Sequence, residues 1–157
     1  MFLNHCHGGM KCEMNYGRFD GLPFARLVEA SRASNVKPEH FDGEGVEPLP
    51  LFDARVREWF ESMCKTTLVN CDKRLKMEPD FCPTILVVSH GGTIRRLFAH
   101  FFSPELMLEG FCPGSRGAAM RIAANTAYST FDLRFNLDGT KHIRSVQLHR
   151  LDHLCLK

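Results

Sequence analysis

The feature that most constrains this chain is the run Ile85-Leu86-Val87-Val88, which ends in Ser89-His90-Gly91-Gly92 and passes straight into a helical pattern. Consecutive apolar residues, mostly β-branched and without polar alternation, read as a strand covered on both faces. That is the situation of a parallel sheet packed between helices. From Thr93 to Phe102, Ile94, Leu97, Phe98, Phe101 and Phe102 then recur on one helical face. A strand running into a helix predicts an α/β architecture, in which ligands sit beyond the carboxyl ends of the strands. His90 falls at that point. The glycines behind it let backbone approach a ligand, and a helix start favours an anion such as phosphate. A histidine there can donate a hydrogen bond to phosphoryl oxygens. It can equally sit at the head of the helix with no chemical part.

The remaining segments fit around this unit. Residues 1–12 read as an irregular lead-in, and residues 13–157 as a single domain with no linker able to divide it. Glu13 to Gly21 is rich in turn formers. A helix is predicted over 22–33, with Pro23 in its first turn and Phe24, Leu27, Val28 and Ser31 on one face. After a loop over 34–50, a long helix is predicted over 51–71, where Phe52, Val56, Phe60 and Met63 form an apolar stripe widened by Trp59. Charged residues and two prolines make 72–83 a connector. Tyr128–Phe135 alternates like a strand with one buried face, Asn136-Leu137-Asp138-Gly139 is a turn, and 142–151 is the returning strand.

Composition excludes several classes of function. The formal net charge of +2 is carried by scattered basic residues, so no concentrated basic face points to nucleic acid. No apolar run approaches the ~20 residues needed to cross a bilayer, and the first residues lack the pattern of a secretory signal. The 7 cysteines form no regular framework, which suits reduced thiols in a cytoplasmic protein. His5-Cys6-His7-Gly8-Gly9-Met10-Lys11-Cys12 lacks zinc-ligand spacing; neither a metal nor a cofactor is expected.

Two further features carry possible chemistry. Glu13 precedes Tyr16-Gly17 in a loop where a carboxylate could act as a general acid; a solvated loop glutamate reads the same way. Asn125-Thr126 precedes the Tyr128 strand and could hydrogen-bond a ligand, although turn chemistry accounts for both residues equally well.

Taken in order, Glu13-x-x-Tyr16-Gly17, a helix, Gly45-x-Glu47, a long helix, Val87-Val88-Ser89-His90-Gly91 and Asn125-Thr126 resemble the histidine phosphatase (phosphoglycerate mutase-like) superfamily. The similarity is strongest to its fructose-2,6-bisphosphatase type, through Leu86–Gly91, Trp59–Cys64 and Leu148–Leu154, and it runs from about Glu13 to Leu154. The resemblance implies a three-layer αβα sandwich. It implies that Glu13 is the proton donor and that His90 stabilises the transferring phosphoryl group. Tyr16, Gly91, Asn125 and Thr126 would contact substrate, a phosphorylated sugar or other small phosphomonoester.

One part of the pattern is missing. Members of the superfamily carry a strand ending in Arg-His-Gly, whose histidine is the nucleophile; no Arg-His-Gly occurs in these 157 residues. His7-Gly8 follows Cys6 and lies close to Glu13, a poor position for a nucleophile that must meet the phosphoryl group in line. The chain is therefore expected to lack the first strand and following crossover of the fold, to be impaired in turnover, and to expose an apolar sheet edge open to self-association. Three functions follow from this: a sugar-bisphosphate phosphatase, an inactive phosphate- or protein-binding module, and a chain that does not fold alone.

Overall fold

In the computed structural model, residues 13–78, 81–102, 107–108, 115–136 and 140–154 are described. The chain is of mixed α/β class and divides into two units, one ending at Val88 and the other beginning at Ser89.

The first unit is helical. Helix α1 spans Phe24–Ala33 and directly follows Pro23, whose fixed φ of −55° suits the entry to a helix. It buries Leu27 and Ser31, while Phe24 is 61% exposed, so the buried stripe is narrower than the sequence pattern suggests. Helix α2 spans Leu49–Met77 and likewise follows a proline, Pro48. Phe52, Val56, Phe60 and Cys64 recur every fourth residue and are all buried, so one narrow seam of α2 faces the core. Met63, expected on the stripe, is only half-buried.

The expected connector over 72–83 is corrected by the structure, because α2 continues through Met77. Pairs one turn apart, Asp72 with Lys76 and Arg74 with Glu78, support this last stretch. Glu78 ends it with an extended φ of −130°, as expected of a residue preceding proline.

The second unit is a helix on a small sheet. Helix α3 spans Gly91–Phe101 and buries Thr93, Leu97, Phe98 and Phe101. Strands β1 (Met107–Leu108), β2 (Tyr128–Phe135) and β3 (Lys141–Arg150) form a sheet of order β1-β3-β2, with β1 parallel and β2 antiparallel to β3. A short helix α4, Ser115–Ala119, precedes β2. Phe101 packs edge-on against Phe131 of β2, and Phe98 against His149 of β3, which seats α3 on the sheet.

The expected β2 strand and its alternation are found, with Ser129, Phe131, Leu133 and Phe135 on the more covered face. In β3 the apolar residues change parity, from Ile143 to Val146 and Leu148. The register accounts for this. Asp132 pairs with Arg144 but Thr130 with Gln147, and Tyr128 with Arg150, so β3 carries an extra residue at each step. The first bulge returns the following residues to the core face. The second lies beside His149, at φ +51°.

The expected strand over Ile85–Val88 is also corrected. These residues belong to no ladder among the described residues, and Leu86, Val87 and Val88 are 55%, 40% and 77% exposed. A strand exists only through neighbours that take its backbone hydrogen bonds. The sequence pattern encodes burial on both faces, but among the described residues no strand pairs with this segment.

Candidate functional site

The candidate residues fall into two groups, one in each unit. In the first unit, Glu13 and Tyr16 line the same open groove, of about 210 Å3, together with Phe19, Asp20, Leu22 and Phe24. Glu13 is exposed, and Met14 beside it is buried as an apolar anchor.

The loop that carries these two residues is shaped by its own polar side chains. Asn15 Oδ1 accepts a hydrogen bond from the Gly17 amide at 2.8 Å, and Asp20 Oδ1 accepts one from the Tyr16 amide at 2.9 Å. Side-chain oxygens that reach forward or back onto nearby amides are the usual way Asn and Asp stabilise turns. Gly17 then adopts φ +57° and opens a 3-10 turn through Phe19. Tyr16 forms an isolated antiparallel bridge with Val46, and the Glu47 amide donates to the Asn15 carbonyl at 2.7 Å.

Beneath the loop lies an ion pair. Arg55, two turns into α2, donates from Nε to Glu47 Oε1 at 2.9 Å and from an η nitrogen to Glu47 Oε2 at 2.7 Å. The Asn15 amide also donates to Glu47 Oε2, at 3.1 Å, and Arg55 reaches the Glu13 carbonyl at 2.9 Å. Both side chains are largely covered, at 25% exposure for Arg55 and 15% for Glu47. The guanidinium also sits over the Phe52 ring, 5.0 Å from its centre.

In the second unit, His90 holds the N-cap position of α3. Its backbone is extended, and its carbonyl accepts the first helical hydrogen bond, from the Ile94 amide at 3.0 Å. Its side chain makes no capping hydrogen bond, so helix capping does not explain the residue. Gly91 lies against the segment leading into β2. A Cβ on it would stand 2.8 Å from the Ile122 side chain and 3.3 Å from the Ala123 carbonyl oxygen. This close approach brings the Ser89-His90-Gly91 corner beside the chain that carries Asn125 and Thr126 two residues later. Those two form an exposed turn closed by the Ala127 amide on the Ala124 carbonyl at 3.0 Å, with Thr126 at φ +65°. The structure thus brings His90, Gly91 and the Asn125 turn into one region. Gly92, by contrast, has open space where a side chain would stand.

A sequence model of the histidine phosphatase superfamily (branch 1) matches residues 12–112, well over half of the chain. The chain belongs to the histidine phosphatase superfamily. The matched span contains Glu13, Tyr16, His90 and Gly91 and stops before Asn125. The chain is also similar to the fructose-2,6-bisphosphatase TIGAR of Bos taurus, at 24% identity over 159 aligned positions covering 81% of this chain. It spans only 58% of that relative's length.

Sequence reasoning missed one part of the candidate group in the first unit. Arg55 lies off the apolar stripe read for this helix, and Glu47 enters only as part of the family pattern. No local spacing signals their pairing, since it joins a loop to a helix across eight positions. The segment His5–Cys12 lies outside the described residues. Among those that are described, no group of three potential ligands gathers to hold a metal, and no helix is long and apolar enough to cross a membrane.

Proposed function

We propose that this chain acts on a small phosphomonoester, a sugar bisphosphate of the fructose 2,6-bisphosphate type, in a cytoplasmic setting. In this reading Glu13 protonates the leaving oxygen, His90 stabilises the phosphoryl group, and Tyr16, Gly91, Asn125 and Thr126 position the substrate. The observation that carries it is the Ser89-His90-Gly91 corner. It joins an extended histidine to the start of a helix and to a glycine pressed against the approach to Asn125. Amides at a helix start and a histidine donor are suited to the oxygens of a phosphoryl group. Membership of the family and the likeness to TIGAR support the substrate class.

Turnover by residues 1–157 is expected to be weak, because the sequence holds no Arg-His-Gly and loss of a covalent nucleophile removes orders of magnitude in rate. The test is phosphate release from fructose 2,6-bisphosphate and from 4-nitrophenyl phosphate. Glu13→Gln should lower release from the sugar phosphate, and His90→Ala release from both esters, by about a hundredfold or more, the usual range for acid catalysis or loss of an oxyanion donor. Release that neither substitution changes would remove both residues from the site. Absence of release, with inorganic phosphate still shifting the His90 ring resonances, would mark a phosphate-binding module instead.

A second reading rests on Leu86, Val87 and Val88, exposed and outside any ladder among the described residues. Thr84–Val88 carries no charge, so two copies can pair these segments antiparallel without placing like charges opposite one another. Sedimentation should then show association that rises with concentration. Val88→Lys should abolish it without altering the helical signal; equal association by that variant would dismiss the reading.

A further inference from the structure

We infer that Glu47 and Arg55 are positioning residues, a clamp that holds the Glu13–Tyr16 loop so that both side chains face one groove. The inference rests on the phosphatase reading of Glu13. The clamp grips main chain on both sides of Met14. Arg55 takes the carbonyl of Glu13, and the Glu47 carboxylate takes the amide of Asn15. The Glu47 amide holds the Asn15 carbonyl, and the neighbouring Tyr16–Val46 bridge completes the attachment. Met14, buried at 6% exposure, pins the centre of the gripped segment. The backbone of the proposed acid is therefore set by α2 and by the loop before it, not by the groove.

An ion pair this covered adds little net stability compared with an apolar contact of equal size. What it supplies is direction: a guanidinium fork meeting both carboxylate oxygens, with a further N–H on the same η nitrogen for a third acceptor. The Glu47 carboxylate accepts three hydrogen bonds, from Arg55 Nε, an Arg55 η nitrogen and the Asn15 amide. A shift of either partner therefore moves the loop. General acid catalysis is sensitive to such shifts, because the acid must reach the leaving oxygen at hydrogen-bond distance.

The test uses the full chain with Glu47→Gln, close in shape to the original, Arg55→Lys, which keeps the charge and removes the fork, and Glu13→Gln for reference. The first readout is amide hydrogen exchange. Loss of a charge-assisted bond at the Asn15 amide should speed its exchange by about tenfold to a hundredfold, with Leu27 and Phe60 still protected. Arg55→Lys serves where Glu47→Gln lowers protection throughout α1 and α2. The second readout is leaving-group dependence. A misplaced acid slows release from the sugar phosphate, whose alkoxide needs a proton. It affects 4-nitrophenyl phosphate far less, because nitrophenolate leaves without one. Both clamp variants should show the same selectivity as Glu13→Gln with a smaller loss, about tenfold. Unchanged Asn15 exchange in both variants, or equal loss on the two esters, overturns the clamp as a positioning device. A Glu13→Gln variant without selective loss, or a wild-type chain that cleaves neither ester, overturns the phosphatase reading of Glu13. The exchange result then decides the clamp alone.

Discussion

Phe60→Ala should lower the unfolding free energy of the first unit by about 3–5 kcal/mol, the range for removing a fully buried aromatic side chain. Phe60 is 0% exposed at the centre of the α2 seam, between Val56 and Cys64, themselves 4% and 1% exposed. The loss combines the transfer of the ring's apolar surface with the cavity left among neighbours that relax only in part. The measurement is urea unfolding followed by far-UV circular dichroism. Val69→Ala on the same helix is the reference: Val69 is 74% exposed, so its truncation should change stability by no more than about 0.5 kcal/mol. Similar midpoints for the two variants would mean that the seam over Phe52–Cys64 is not the core of this unit. The result bears on function, because the same helix carries Arg55 five residues before Phe60.

Gly17→Ala should be the more damaging of two superficially equal glycine substitutions. Gly17 and Gly21 both have positive φ, +57° and +80°, so alanine at either costs about 1–2 kcal/mol of backbone conformational energy. Only Gly17 faces an obstacle. A Cβ there would lie 2.4 Å from the Gly45 carbonyl carbon and 2.9 Å from the Val46 amide nitrogen, whereas Gly21 has nothing within 4 Å. Backbone cannot rotate aside as a side chain can, so the 13–17 loop would have to separate from 45–47. That would break the Tyr16–Val46 bridge and strain the Asn15–Glu47 hydrogen bonds. Thermal unfolding should therefore show a clearly larger loss for Gly17→Ala than for Gly21→Ala. Amide exchange at Asn15 should rise only in the former. Equal losses would show that the close approach of the two loops does not matter to the fold.

Much of the local structure was legible from residue pattern. Pro23 marks where α1 begins, and the helical spacing of Phe52, Val56 and Phe60 predicts most of the buried seam, although α2 starts at Leu49, two residues before the expected Leu51. The alternation over Tyr128–Phe135 predicts β2 with its faces assigned. These signals are short-range, because a helix or hairpin states its period within a few residues. The end of α2 was harder to read, since charges over 72–77 suit a loop and a solvated helix equally. The β3 parity change was unreadable without its partner: a bulge is a relation between two strands, and one strand does not announce it.

The candidate site divides in the same way. Glu13, Tyr16, His90 and Asn125 stood out because their residue types and order match a family pattern. Their neighbours did not stand out. Arg55 becomes significant only once the 13–17 loop, the 45–47 segment and α2 lie together. The nearness of Gly91 to Ile122 and Ala123 joins positions 31 and 32 apart.

The sequence by itself determined the periodicities of this protein, hence its helices, its hairpin and its membership of the histidine phosphatase superfamily, because these are written in residues near one another or in a fixed order. Only the tertiary structure decided which polar groups meet and whether Ile85–Val88 gains strand neighbours. Those outcomes depend on the partners each segment finds, and a pairing energy belongs to two segments at once.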